Sequence, residues 1–539
     1  MESLPRYCQV YGPGDDADLP HSRRWRFVRI WSKANAKRRI VPSGQTGIPE
    51  SYPQGTITAE LSETVAFFRE SLALCSDLVI KETEVRQQGG AVLRVAVMYV
   101  DGLANRQLVH EFITQPLATT CLPESQAGIA ELEKLITATN IRRESGRAKL
   151  MYSLLNSSTL VFLENAAEGL AISSEGWEHR QVQEPVTESA IRGPQEAFNE
   201  VLRVNTALIR RRIKDPRLAV ESLQVGTRSL TDVAVLYIRD IAHPKLVNEV
   251  KRRIRTIEMD GMQDIGQMEE FLEDNPLSPF PQVTGTERVD KTVAAILEGK
   301  VAVMLDGSPY ALSMPSTFAS FLYASEDYYS KFMAATFVRW FRGLALLMAL
   351  FLPSLYIALI TFHQEMLPTP LMLSSAANRT GVPFPAFFEA LLMEASIELL
   401  REASLRLPGS LGQTIGIVGA LVIGQSAVQA GFVGPILTII VAFTAIGSFV
   451  IPNYNTSITI RMLRFPLMLL AATMGMFGIL FGGAAILLHL VSLTPFGVGY
   501  LEPFRPSRWA DLDDSILIRK PTYLMSLRQR YLKPQQRRR

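Results

Sequence analysis

LPGSLGQTIGIVGALVIGQSAVQAGFVGPILTIIVAFTAIGSFVIPNYNTSITI, residues 407–460, contains no Asp, Glu, Lys or Arg. One bilayer crossing takes roughly 20 apolar residues, so this run has room for two. A second charge-free run, 465–501, adds at least one more. A single such run suits the buried helix of a soluble core; several in succession read as a membrane domain. The expected spans are 343–362, a segment starting near 383, 412–430, 432–451 and one within 465–491. The domain at 343–501 thus has four or five membrane segments, or six if the last run enters and leaves around Gly482-Gly483.

Working outward, FFEALLMEASIELLREASLRLPG (387–409) carries Glu389, Glu394, Glu398 and Glu402 beside this apolar run. On a helix, Glu394, Glu398 and Glu402 fall within a sector of about 80°, and Glu389 lies outside it. Three carboxylates in lipid would cost about 10 kcal/mol. Either the helix lies flat at the membrane surface, or its carboxylates face a wet interior. Gln425 and Gln429, at i and i+4 in the next span, favour the wet interior. Acidic rings gather cations in channels, so Glu389, Glu394, Glu398, Gln425 and Gln429 are the candidate pore-lining residues, provided several copies form a ring. Gly412, Gly416, Ala420 and Gly424 make a ridge of small residues, with a shorter version at Gly478 and Gly482. Such ridges let helices approach closely in lipid.

Ahead of the membrane region, SEDYYSKFMAATFVRWFRG predicts an amphipathic interfacial helix within 316–342. Tyr328, Tyr329, Lys331, Arg339, Trp340 and Arg342 are its expected headgroup anchors. Residues 1–55 form a basic arm without apolar periodicity, and 502–539 a basic tail. Both fit anionic lipid headgroups better than nucleic acid.

Between the arm and the membrane, the pattern predicts two soluble subdomains, 56–185 and 186–315. The first reads as a helix over 58–74, strands at 77–85 and 91–102, a helix near 105–115, and further strands at 159–164 and within 168–184. The second reads as a helix within 192–218, strands at 220–228 and 231–240, a helix after His243-Pro244, and helix, strand, turn, strand over 289–312. The order of elements resembles the first unit without an evident repeat of residues. The fold class is α+β: two α/β subdomains in the cytosol, then an all-α polytopic membrane domain.

The start lacks a basic tip followed by an apolar core, so the large soluble part is expected to stay cytosolic. Cys8, Cys75 and Cys121 have no metal spacing, which suits a reducing compartment. Net charge is +3 over 539 residues. No phosphate-binding loop, HExxH or other metal motif is present, so no enzyme activity and no cofactor are expected.

VPFPAFFEALLMEASIELLREASLRLPGSLGQTIGIVGALVIGQSAVQAG (382–431) resembles the signature region of GerA-type spore germinant receptor A subunits. CSDLVI (75–80), PVTESAIRGPQEAFNE (185–200), NTALIRRRIKDPRL (205–218), TERVDKTVAAILEGKVAVMLDGSP (286–309) and PFGVGYLEPFRP (495–506) resemble the same family, in the same order. The resemblance implies a receptor subunit of the spore inner membrane, working with a transporter-like B subunit and a lipoprotein C subunit. It also implies a homo-oligomeric, ion-conducting ring that releases monovalent cations when a nutrient germinant binds the complex. A non-conducting scaffold that signals to a separate channel is the competing reading. The resemblance assigns no single side chain a role.

Overall fold

The computed structural model describes residues 52–87, 92–120, 128–138, 140–176, 190–407 and 424–502, with a few single positions between and beyond them. The basic arm at 1–48 and most of the tail after 502 lie outside the described residues.

Helix α1 (Leu61–Ser71) precedes the hairpin β1 (Leu78–Arg86) and β2 (Val92–Val100). Helix α2 follows as segments Arg106–Val109 and Gln115–Thr119, joined by a π-helical turn at His110–Thr114. Then come α3 (Ile129–Leu135), β3 (Ile141–Glu144), α4 (Arg147–Leu155), β4 (Ser158–Leu163) and β5 (Gly169–Ser173). The strands pair antiparallel in the order β1-β2-β4-β5-β3.

The second unit repeats this plan. It runs α5 (Leu202–Arg212), β6 (Leu218–Val225), β7 (Thr231–Ile238), α6 (Pro244–Arg255), α7 (Ile265–Leu272), β8 (Thr284–Thr286), α8 (Val289–Glu298), β9 (Val301–Leu305) and β10 (Ala311–Met314). Its order, β6-β7-β9-β10-β8, matches the first sheet position for position. Contrary to the sequence expectation, the residues do repeat at the second strand of each sheet, β2 and β7. Val95-Ala96-Val97-Met98-Tyr99-Val100 corresponds to Val233-Ala234-Val235-Leu236-Tyr237-Ile238. The pairing agrees, Val95 lying opposite Leu163 and Val233 opposite Leu305. A helix N-cap follows each strand, Asn105 and His243, whose side chains accept backbone N–H bonds. The repeat is faint because the connecting helices have different lengths. Both sheets are antiparallel with flanking helices, as α+β architecture requires.

Alternation on β7 explains its double burial. Val233, Val235 and Tyr237 pack under α6 and α7, while Ala234, Leu236 and Ile238 face α5 and α8. The two sheets are joined where Ser76 N–H donates to the Val220 carbonyl at 2.9 Å. Beside it, Arg210 Nη2 donates to buried Asp77 at 2.8 Å.

After a short helix α9 (Glu326–Tyr329), the chain becomes all-helical: α10 (Phe332–Thr361), α11 (Thr369–Arg379), α12 (Ala386–Arg406), α13 (Pro435–Phe449), α14 (Tyr454–Met474) and α15 (Met476–Ser492). Helices α10 and α14 are each long and apolar enough to cross a membrane, with mean hydropathy 2.3 and 1.3; α13 and α15 are shorter apolar helices. The expected interfacial segment is divided: its part from Phe332 is continuous with the first expected span in α10, while Glu326–Tyr329 is the separate helix α9. The last expected span is two helices: Asn453 caps α14, and the chain reverses at Gly475, whose φ of +61° suits only glycine without strain.

Candidate functional site

Contacts at the two ends of the helical bundle order its helices. Near the sheets, the Tyr329 hydroxyl donates to Asp290 of α8 at 2.6 Å. Thr459 of α14 donates to the Pro279 carbonyl, and His489 of α15 bonds the Ser278 hydroxyl at 2.8 Å. At the far end, the Met476 amide donates to His363 Nε2 at 3.3 Å. After α15, residues 493–502 return to the second sheet, where the Tyr500 hydroxyl donates to the Pro281 carbonyl at 2.7 Å. Helix α12 runs from Glu389, beside Gly434 at the far end, to Arg401, beside Ser448 at the sheet end.

Helix α12 turns Ala386, Ala390 and Met393 into a core with Ile357, Leu437 and Met468. Phe388, Leu392 and Leu399 stay exposed. Its first two glutamates follow the buried side. Glu389 and Glu394 are each only 1% exposed, and every one of the four carboxylates meets an arginine. Arg379 of α11 donates to Glu389 at 2.8 Å. The Gly434 amide, at the positive N-terminus of α13, donates to the same carboxylate at 3.2 Å.

Glu394 lies deepest. It accepts from Thr444 Oγ1 of α13 at 3.0 Å and from Arg464 of α14. The Arg464 Nε also donates to the Ala349 carbonyl of α10 at 2.8 Å. That carbonyl is free because its usual helical donor, four residues on, is Pro353, which has no N–H. One buried carboxylate thus ties α10, α12, α13 and α14 together. Glu398 takes Arg461 of α14, with Arg401 at 3.8 Å. Glu402 pairs with Arg406 at 2.6 Å in the open.

The remaining expected residues fall elsewhere. Gln425 and Gln429, in the described stretch 424–429, have exposed side chains and make no bond to these carboxylates among the described residues. Gly412, Gly416 and Ala420 lie outside the described residues. A Cβ at Gly424 would only graze the Thr438 methyl at 3.9 Å. Gly478 and Gly482 face α14, where a Cβ at Gly478 would lie 2.1 Å from the Leu470 carbonyl.

Of the expected headgroup anchors, Tyr328, Lys331 and Trp340 are exposed. Arg339 and Arg342 instead turn inward onto buried Asp327, at 3.1 and 2.7 Å. Tyr329 bonds Asp290 as described, and burial together with that carboxylate pushes its hydroxyl up to about 12. Arg379, Arg461, Arg464 and Thr444 were not singled out as partners by sequence reasoning. The usable signal was an arginine pair at i and i+3 (461, 464) facing a glutamate pair at i and i+4 (394, 398).

The family model described as Bacillus/Clostridium GerA spore germination protein matches residues 66–531. The chain belongs to this GerA family. It is similar to the uncharacterized membrane protein YfkQ of Bacillus subtilis (strain 168), 40% identical over 84% of this chain and 88% of that one. Spore germination protein KA of the same organism is 39% identical over 85% and 84%. A crystal structure of the N-terminal domain of the A subunit of the Bacillus megaterium spore germinant receptor GerK3 is 28% identical, covering 49% of this chain and 98% of that one with a TM-score of 0.39. The GerA match bears out the resemblance read from the sequence and reaches further into the basic tail. Members of the GerA family are spore germination proteins rather than enzymes. Among the described residues of this GerA chain, no His, Cys, Asp and Glu side chains cluster as metal ligands.

Proposed function

We propose that this chain is the A subunit of a nutrient germinant receptor in the spore inner membrane. In this reading, copies of it form a ring with a gated path for monovalent cations, and a transporter-like B subunit and a lipoprotein C subunit complete the receptor. The chain crosses the membrane an even number of times, with α10, α12, α13, α14 and α15 among the crossings and the sheets in the cytosol. Support for this count comes from the return of residues 493–502 to the second sheet. Arg339, Arg342, Arg401, Arg406 and Arg461 all lie toward the sheet-side ends of their helices, as the positive-inside rule favours.

The observation that carries the gating reading is the pairing of Glu389, Glu394 and Glu398 with arginines inside the bundle. Guanidinium groups occupy the places that permeant cations would take. The arrangement is therefore that of a shut state, and opening separates α12 from α14 so that water and cations replace the arginines. The same neutralised charge favours a second reading, a scaffold that signals to a separate channel, since no net acidic ring is offered. Reconstitution of the complete receptor in liposomes distinguishes them. The conductor passes monovalent cations on germinant addition, leaks without germinant in Arg464→Gln, and changes selectivity in Glu394→Gln with Glu398→Gln. Absence of current from correctly assembled receptor in every case leaves the scaffold.

A further inference from the structure

Between α12 and α14, at the end nearer the sheets, lies a cleft of about 480 Å³. Glu398, Arg401 and Glu402 line it from α12 and Tyr454, Ile458, Arg461, Met462 and Phe465 from α14, with Met462 and Phe465 in its inner part, farthest from the sheets. We infer that it binds the phosphate of a membrane phospholipid, with an acyl chain lying along the inner part.

Charge is the first argument. Glu398 is shared by two guanidinium groups, Arg461 and Arg401, while Glu402 is engaged by Arg406 at the rim. One positive charge is left over. Arg401 is held between Ser448, to which its Nη2 donates at 2.9 Å, and the Phe449 ring, 4.4 Å away. Its buried Nε has no acceptor among the described residues. An excess guanidinium beside apolar helices is costly until an anion joins it, and phosphate oxygens fit the guanidinium fork.

Polarity along the cleft is the second argument. Tyr454, Ile458, Arg461, Met462 and Phe465 share one face of α14, and from Tyr454 to Phe465 the helix advances about 16 Å. Ile458 lies between Tyr454 and Arg461 on that face, and past Arg461 the α14 lining is only thioether and phenyl, the order of headgroup to acyl chain. A free anion would use only the outer part. Tyr454 and Met462 are both more than half exposed in the single chain, which leaves the inner part open to an occupant.

The inference rests on the membrane placement proposed above and is independent of conduction. The test uses the full chain in lipid nanodiscs containing a diazirine-bearing phospholipid. Photolabel is expected to concentrate on residues 454–465, and one phospholipid phosphorus per chain to survive exhaustive detergent exchange. Arg401→Gln and Arg461→Gln lose it. So does Ile458→Trp, which fills the cleft beside Arg461 and leaves every charge in place. Label spread evenly over the exposed faces of α10, α13 and α15, or no retained phosphorus in the wild type, overturns the site. That wild-type pattern decides even if a variant fails to fold. Complete displacement by excess inorganic phosphate overturns the lipid as occupant and leaves a free phosphate-bearing solute. Failure to enter nanodiscs at all would instead count against the membrane placement.

Discussion

Glu394 and Arg464 are 1% and 2% exposed, and each is the other's only opposite charge within bonding distance among the described residues. Removing either partner strands a buried charge, so Glu394→Gln or Arg464→Met alone is expected to cost about 3–5 kcal/mol. The double replacement should cost clearly less than the sum, and thermal unfolding of the four proteins in detergent measures the difference. Additive losses would mean the two groups do not depend on each other. A second residue-scale test concerns Glu269 of α7. Burial, then the charge of Glu273, pushes its carboxyl from 4.5 up to about 7 beside Asn455 of α14. The fold therefore favours the protonated form. That contribution is complete below the unfolded value and is lost as pH rises through about 7. Glu269→Gln is expected to raise the unfolding midpoint at about pH 8 and barely at about pH 5; equal shifts at both would refute the protonation argument. At this scale the glutamates were legible, because carboxylates in apolar sequence demand an explanation. Thr444 was not, since a hydroxyl in such a helix can satisfy itself on its own backbone, as it partly does at the Val441 carbonyl, 2.7 Å away.

Pro353 shows what one element can do for another. It breaks no more than a single backbone bond of α10, and the carbonyl it frees becomes the second anchor of Arg464. In Pro353→Ala the backbone supplies a donor to Ala349 and competes with that anchor. Stability is expected to hold or rise, because an interior proline costs a helix about 3 kcal/mol, while the resting cation leak of reconstituted receptor rises. A fall in stability with unchanged leak would show that the anchor has no part in closure. Elements with a strong period were readable from the sequence: β2, β7, α8 and α12 fall where alternation or helical spacing puts them. Helix α14 was not. Its first half lies at the end of one charge-free run, its second half opens the next, and the arginines between them look like a loop. Only their burial against α12 and α10 makes them part of a helix.

For the whole molecule, the testable consequence is sidedness. Single cysteines replacing Ser404 and Thr494 are expected to react with impermeant thiol reagents from the cytosolic side, and one replacing exposed Ser374 from the opposite side. Reaction of position 494 from outside would refute the even number of crossings. The duplicated α+β plan was half legible, through the order of its elements, and half hidden, because similar residues stand out only in β2 and β7. The tight join of the second sheet to the helices has a mechanical outcome. Tyr500 is wedged among Phe280, Phe318 and Phe321, and Ser278 and Pro279, beside Phe280, grip His489 and Thr459. The roots of α10, α14 and α15 are thereby clamped in one collar, so a push on any of these helices arrives at the sheets as a tilt of the whole collar rather than as the bending of one rod.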